Sequence, residues 1–125
     1  MQAGAKEISV TWDDQQNINQ FGKLNNRLHE LKAEVLSHQK TAEDYEEASN
    51  ELMITDEEEV MYVLGECFAI MPNDDAETRL QEELDKTQEK ISALHDEESD
   101  IKSQMEALKK VLYGKFGDSI NLEEE

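Results

Sequence analysis

Histidine, cysteine and clustered carboxylates are the side chains of this 125-residue sequence that could do acid–base, nucleophilic or metal chemistry. Their spacing supports none of it. His29, His38 and His95 stand far apart, and none has a Cys or a second His four residues on, the arrangement that places two ligands on one helical face. His38 falls among apolar neighbours and reads as a packing residue. The acidic runs Asp56–Glu59 and Glu123–Glu125 lack the glycine at loop position six of an EF-hand, so they read as solvated surface. No glycine-rich phosphate loop occurs. The single cysteine, Cys67, cannot form an internal disulfide, which fits a reducing compartment, and it reads as a small apolar packing residue. No catalytic residue, metal or cofactor is expected, and an enzyme is disfavoured.

The remaining chemistry is non-covalent binding. Twelve basic against 31 acidic side chains give a formal charge of −19, without the clustered Lys and Arg that a nucleic-acid binder needs. Partners should be basic or apolar. No window approaches the eighteen or so apolar residues of a membrane span, and residues 1–10, with Lys6 and Glu7, have no secretory core. No membrane contact and a cytoplasmic location are expected.

Two long helices must position any binding surface. With 37% apolar residues, 5 Gly and 1 Pro, the composition suits elements that bury one stripe each rather than a compact core. Thr11 is a good N-cap, with Asp13 and Asp14 favourable in the first turn, and helix one is predicted over 11–51. Its seam repeats every seven residues: Phe21, Leu28, Val35, Ala42 and Ser49 alternate with Leu24, Leu31, His38, Tyr45 and Leu52. Helix two is predicted over 73–116, capped by Asn73 or Asp74 and stopped at Gly117. Its seam steps by four and three through Leu80, Leu84, Thr87, Ile91, Leu94, Glu98, Ile101, Met105, Leu108 and Leu112. Residues 1–10 and 117–125 read as tails. The predicted fold is mainly α, an antiparallel two-helix coiled coil formed by one unit of 125 residues.

Residues 60–71 break the heptads. Val60, Met61, Tyr62, Val63 and Leu64 face Cys67, Phe68, Ala69, Ile70 and Met71 across Gly65-Glu66, a two-residue loop with Gly first, as a type II′ turn requires. If Leu64 pairs with Cys67, then Met61, Val63, Phe68 and Ile70 share one face and the other six residues share the opposite one. Both faces are apolar, and an isolated two-stranded sheet is marginal in water. Ten such side chains at roughly 1.5–3 kcal/mol each leave on the order of 15–30 kcal/mol to be realised by coverage. The helices could cover part of one face, yet their stripes are committed to each other. Other chains should therefore supply the burial, hairpins joining into an inter-subunit β-barrel. Thirteen acids and no basic residue lie between Lys40 and Arg79, so identical copies would repel and the neighbours should be different chains. A generic coiled-coil scaffold or tether is the alternative, but it predicts a polar connector where this chain has Val60 to Met71.

A coiled coil with one β-hairpin between its helices resembles the beta-type subunits of prefoldin, a hexameric cochaperone. Val10-Thr11, Asp14-Gln15-Gln16, Ile18-Asn19 and Phe21 are similar to the start of one beta-type subunit of the eukaryotic hexamer. Leu112-Tyr113-Gly114-Lys115-Phe116-Gly117 with Ile120-Asn121-Leu122-Glu123 is similar to its end. The resemblance implies two alpha-type and three other beta-type subunits as partners, the hairpin as subunit interface, and clients held at the coiled-coil tips. It implies unfolded actin and tubulin as clients, passed to the cytosolic group II chaperonin without nucleotide. The residues agree: Ile8, Val10, Trp12, Ile18 and Phe21 at one end and Leu112, Tyr113, Phe116, Ile120 and Leu122 at the other exceed what two seams need. That surplus is the expected client surface, suited to weak, multivalent capture. Gly22 and Gly114 should loosen the helices beside it.

Overall fold

The structure, a computed structural model, describes residues 9–64 and 66–122. Expectations on Ile8, on the Gly65 turn and on 123–125 lie outside the described residues. The element order is α1 (Trp12–Ile54), β1 (Glu59–Leu64), β2 (Cys67–Pro72), α2 (Asn73–Phe116) and a short 3-10 turn, Gly117–Ser119. Two long helices with an antiparallel hairpin between them in the chain are what the heptads and the β-branched run predict. The chain divides into two compact units, Met1–Ala33 with His95–Glu125 (the terminal unit) and Glu34–Leu94 (the hairpin unit).

α1 begins where Thr11 caps it. The Thr11 hydroxyl accepts from the Asp14 N–H at 3.1 Å while the Asp14 carboxylate accepts from the Thr11 N–H at 2.9 Å, a reciprocal box that satisfies two otherwise orphaned donors. Helix one runs to Ile54, three residues past the predicted end at Glu51, because nothing between them breaks it and Thr55 N–H still bonds the Glu51 carbonyl at 3.2 Å. Gly22 and Gly114 do not interrupt their helices, contrary to the loosening expected of them; both lie inside continuous helix with open space around the α-carbon. Gly117 ends α2 as predicted, with φ +56°, the left-handed conformation that glycine reaches without steric cost.

In the terminal unit much of the seam is buried. Leu28, Leu31, Met105 and Leu112 are fully buried, joined by Phe21, Leu24, Ile101 and Phe116. Ion pairs cross between the helices in antiparallel sense, among them Arg27 to Glu97 at 2.9 Å and Lys115 to Asp14. In the hairpin unit the buried positions are Val35, Ala42, Ala76, Leu80, Leu84 and Thr87. The Thr87 hydroxyl donates to the Glu83 carbonyl at 2.9 Å, so this polar seam position is satisfied inside its own helix.

Strand register follows the predicted pairing, Leu64 opposite Cys67 and Met61 opposite Ile70, out to Glu59 opposite Pro72. The proline sits at the strand's last position, where its missing N–H costs no ladder bond in the interior. Asn73, expected to cap α2, works backwards instead. Its side-chain amide donates to the carbonyls of Leu52 at 3.1 Å and Glu57 at 3.3 Å, and its N–H donates to Glu58 at 2.8 Å. One residue thus ties the end of α1, the connector and the start of α2 together.

Candidate functional site

The hairpin has two unequal faces. Met61, Val63, Phe68 and Ile70 stand between 61% and 69% exposed, one apolar face open to water. Val60, Tyr62, Ala69 and Met71 on the opposite face are half-buried, and Cys67 is exposed. A cleft of about 330 Å³ lies between β1 and the unit's own helices, lined by Tyr45, Leu52, Ala76 and Leu80 on the helices and by Val60, Met61, Tyr62 and Val63 on the strand, so the helices partly cover the second face and Met61 and Val63 border the opening. Burial is the main cause that raises the Tyr62 pKa, with Glu83 adding to it. A raised value means the neutral phenol is favoured in the folded state, a contribution present below the ordinary tyrosine range and lost as pH rises through the folded value.

This corrects the expectation that other chains must cover both faces. Tyr45 and Leu52, weak seam residues of α1, line the cleft against the sheet. On the first face Met61, Val63, Phe68 and Ile70 remain open, worth on the order of 6–12 kcal/mol on full burial. The two outer edges of the two-stranded sheet have no strand beside them among the described residues.

The nine residues expected at the client surface divide. Phe21, Leu112, Phe116 and Leu122 are buried and contribute to the core of the terminal unit. Phe116 follows Leu112 by the same step of four that built the seam. Leu122, placed in a tail by the sequence reading, comes back because Gly117 reverses the chain and the Tyr113 hydroxyl accepts from the Leu122 N–H at 2.9 Å. Val10, Trp12 and Tyr113 are exposed, Trp12 at 75%, while Ile18 and Ile120 are half-buried.

Beside these exposed residues lies the ion pair of the terminal unit. Lys115 bonds the Asp14 carboxylate and lies 5.6 Å from the centroid of the Phe116 ring. The lysine contact is the largest cause that lowers the Asp14 pKa below its ordinary value, with the Thr11 N–H adding to it. One side chain therefore serves helix capping and the link between helices. Sequence spacing missed that link, since Asp14 and Lys115 are 101 positions apart. Met53 and Ile54, exposed at the end of α1, were also missed because they follow the last seam residue.

Among the described residues no group of three or more His, Cys, Asp or Glu could hold a metal ion, and no helix is long and apolar enough to cross a membrane. The arrangement offers apolar contact surfaces held by rigid helices.

Comparison with known proteins gives the same picture. The pattern of the family described as prefoldin subunit matches residues 15–119. Prefoldin subunit 4 of Saccharomyces cerevisiae is 39% identical over 124 residues, covering 98% of this chain and 95% of the yeast protein. A probable prefoldin subunit 4 of Dictyostelium discoideum is 38% identical, over 94% of this chain and 90% of its own length. Prefoldin subunit 4 of Homo sapiens is 35% identical over 97% of this chain and 92% of the human protein. With the fold, the register and a near full-length match in agreement, this chain belongs to the prefoldin subunit family.

Proposed function

We propose that this chain is the fourth-type beta subunit of a hetero-hexameric cytoplasmic cochaperone, assembled with two alpha-type and three other beta-type subunits. Its hairpin joins those of its partners in an inter-subunit barrel. Val10, Trp12 and Tyr113, with the half-buried Ile18 and Ile120, contribute to the capture of unfolded actin and tubulin for the cytosolic group II chaperonin. Each such contact is weak, and avidity among several subunits makes capture effective while release stays possible. The work is done by binding alone, without catalysis, nucleotide or cofactor.

The observation that carries this reading is the open Met61, Val63, Phe68 and Ile70 face on a sheet with two free edges. A stable monomer rarely leaves a contiguous apolar face uncovered. Hetero-assembly is favoured over homo-assembly by the same unit's charge, since 41–78 holds no Lys or Arg.

Native mass spectrometry of the complex recovered through a tag on this chain tests the reading. One copy among five other subunits of similar size is the expected result. A bare monomer or a homodimer would overturn it in favour of a coiled-coil tether. In the recovered hexamer, Val10→Ser with Trp12→Ser should leave assembly intact and weaken suppression of aggregation of a denatured client; unchanged suppression removes these residues from the capture surface.

A further inference from the structure

The junction between α1 and β1 carries a second apolar surface. Met53 and Ile54 are 66% and 82% exposed in the last turn of α1, a turn with no basic residue. Beside them opens a groove of about 470 Å³, with Leu52, Met53 and Pro72 on its apolar side and Glu57, Glu58, Asp74 and Glu77 around it. A helix C-terminus carries partial negative charge and is normally matched by Lys, Arg or His. Here Glu57 and Glu58 of the connector reinforce that charge, while Asp74 and Glu77 on the far side match the positive end of α2 and add to the acidic rim. Asn73 supplies donors to the Leu52 and Glu57 carbonyls, but an amide brings no positive charge. Around Glu57 and Glu58 no side chain close in sequence brings one either, since the nearest basic residues are Lys40 and Arg79.

We propose that this groove receives a Lys- or Arg-bearing segment of an adjoining subunit, with one apolar side chain seated on Met53 and Ile54 and its cations against Glu57, Glu58 and Glu77. Charge complementarity selects the occupant: a mainly polar, acidic groove beside the exposed Met53 and Ile54 favours a cationic segment and repels a second copy of this acidic region. Continuity selects its source. Glu57 and Glu58 lead directly into Glu59, the first residue of β1, so a chain that covers the open face of the hairpin arrives at the mouth of the groove. The proposal rests on the hetero-oligomeric reading given above and adds to it a contact outside the strands.

The test uses the reconstituted hexamer. With a photoreactive benzoylphenylalanine in place of Ile54, crosslinks are expected to a Lys- or Arg-containing peptide of one neighbouring subunit. Crosslinks that map only to client, to chaperonin or to a second copy of this chain would overturn the proposal. A second variant, Glu57→Gln with Glu58→Gln and Glu77→Gln, removes charge at nearly constant volume. Exchange of this chain out of the hexamer, followed by native mass spectrometry with isotope-labelled subunits, should then speed up about tenfold at low salt and lose much of its salt dependence, as expected for three partly exposed charges. Unchanged exchange and an unchanged salt slope would overturn the groove contact while leaving the hexamer standing. Absence of a hexamer in the unsubstituted protein would instead overturn the assembly reading, and this proposal with it.

Discussion

The terminal unit and the hairpin unit are built from the same two helices, yet they spend their apolar residues differently. In the terminal unit Leu28, Leu31, Met105 and Leu112 find complete cover within the chain. In the hairpin unit Met53, Ile54, Met61, Val63, Phe68 and Ile70 stay open. A helical stripe can be matched by a stripe of equal width on a second helix. A sheet has two faces, and the same helix pair can reach only one of them. The first unit closes its seam and leaves apolar surface at Val10, Trp12, Val111 and Tyr113, whereas the second leaves a whole sheet face open.

The strongest way to break this contrast is to put charge on the open sheet face. Val63→Asp with Ile70→Asp should abolish incorporation into the hexamer, read by native mass spectrometry, while circular dichroism keeps nearly all of its helical signal. Both side chains are already exposed in the isolated chain, so the change costs the fold little and the interface much. A hexamer that survives the double substitution would mean that this face is not an interface.

Acid should separate the two units more gently. Because Asp14 has a lowered pKa in the folded state, its ion pair stabilises the terminal unit above the ordinary aspartate range. That contribution is lost as pH falls through the folded value. The hairpin unit has no ion pair of this kind to lose between 41 and 78, where no Lys or Arg occurs. Amide exchange corrected for intrinsic rates, compared between pH 7 and pH 3, should show protection falling around Thr11–Gln15 and more than around Ala76–Leu84. Asp14→Asn should remove the difference; equal loss in both stretches would count against the ion pair as a local clamp.

The smallest expected effect sharpens the view of the terminal unit as a closed seam. Gly22 lies in continuous, exposed helix with room for a methyl group. Gly22→Ala should raise the free energy of unfolding by about 0.5–1 kcal/mol in urea titration, through the lower backbone entropy of alanine in the unfolded chain. No gain would show that the glycine serves a local distortion absent from this conformation.

Much of this was legible beforehand, for reasons that differ by region. The seams repeat over many heptads, and each added heptad makes the helical period harder to mistake. The hairpin register was legible because two residues between Leu64 and Cys67 leave room for one tight turn. The ends were harder to read. An apolar residue near a chain end is core or surface according to where the backbone goes next, and the reversal after Gly117 that buries Leu122 is a matter of one dihedral angle. Phe116 could have been placed, since it extends the seam from Leu112 by four. The partial cover of Tyr62 beside Tyr45, Leu52, Ala76 and Leu80 depends on how the hairpin lies against the helices, which periodicity does not encode.

Asn73 also bears on how the chain is closed into a loop. Its bond to Leu52 joins residues 21 positions apart, whereas the bond between Lys115 and Asp14 joins residues 101 apart. By chain statistics the longer closure costs roughly 1.4 kcal/mol more in entropy when made from an open chain. With the Asn73 junction in place, that cost no longer applies in full. Each further turn of the two helices then encloses only the few residues added since the last contact, and the distant ends meet along a path already shortened from the middle of the sequence.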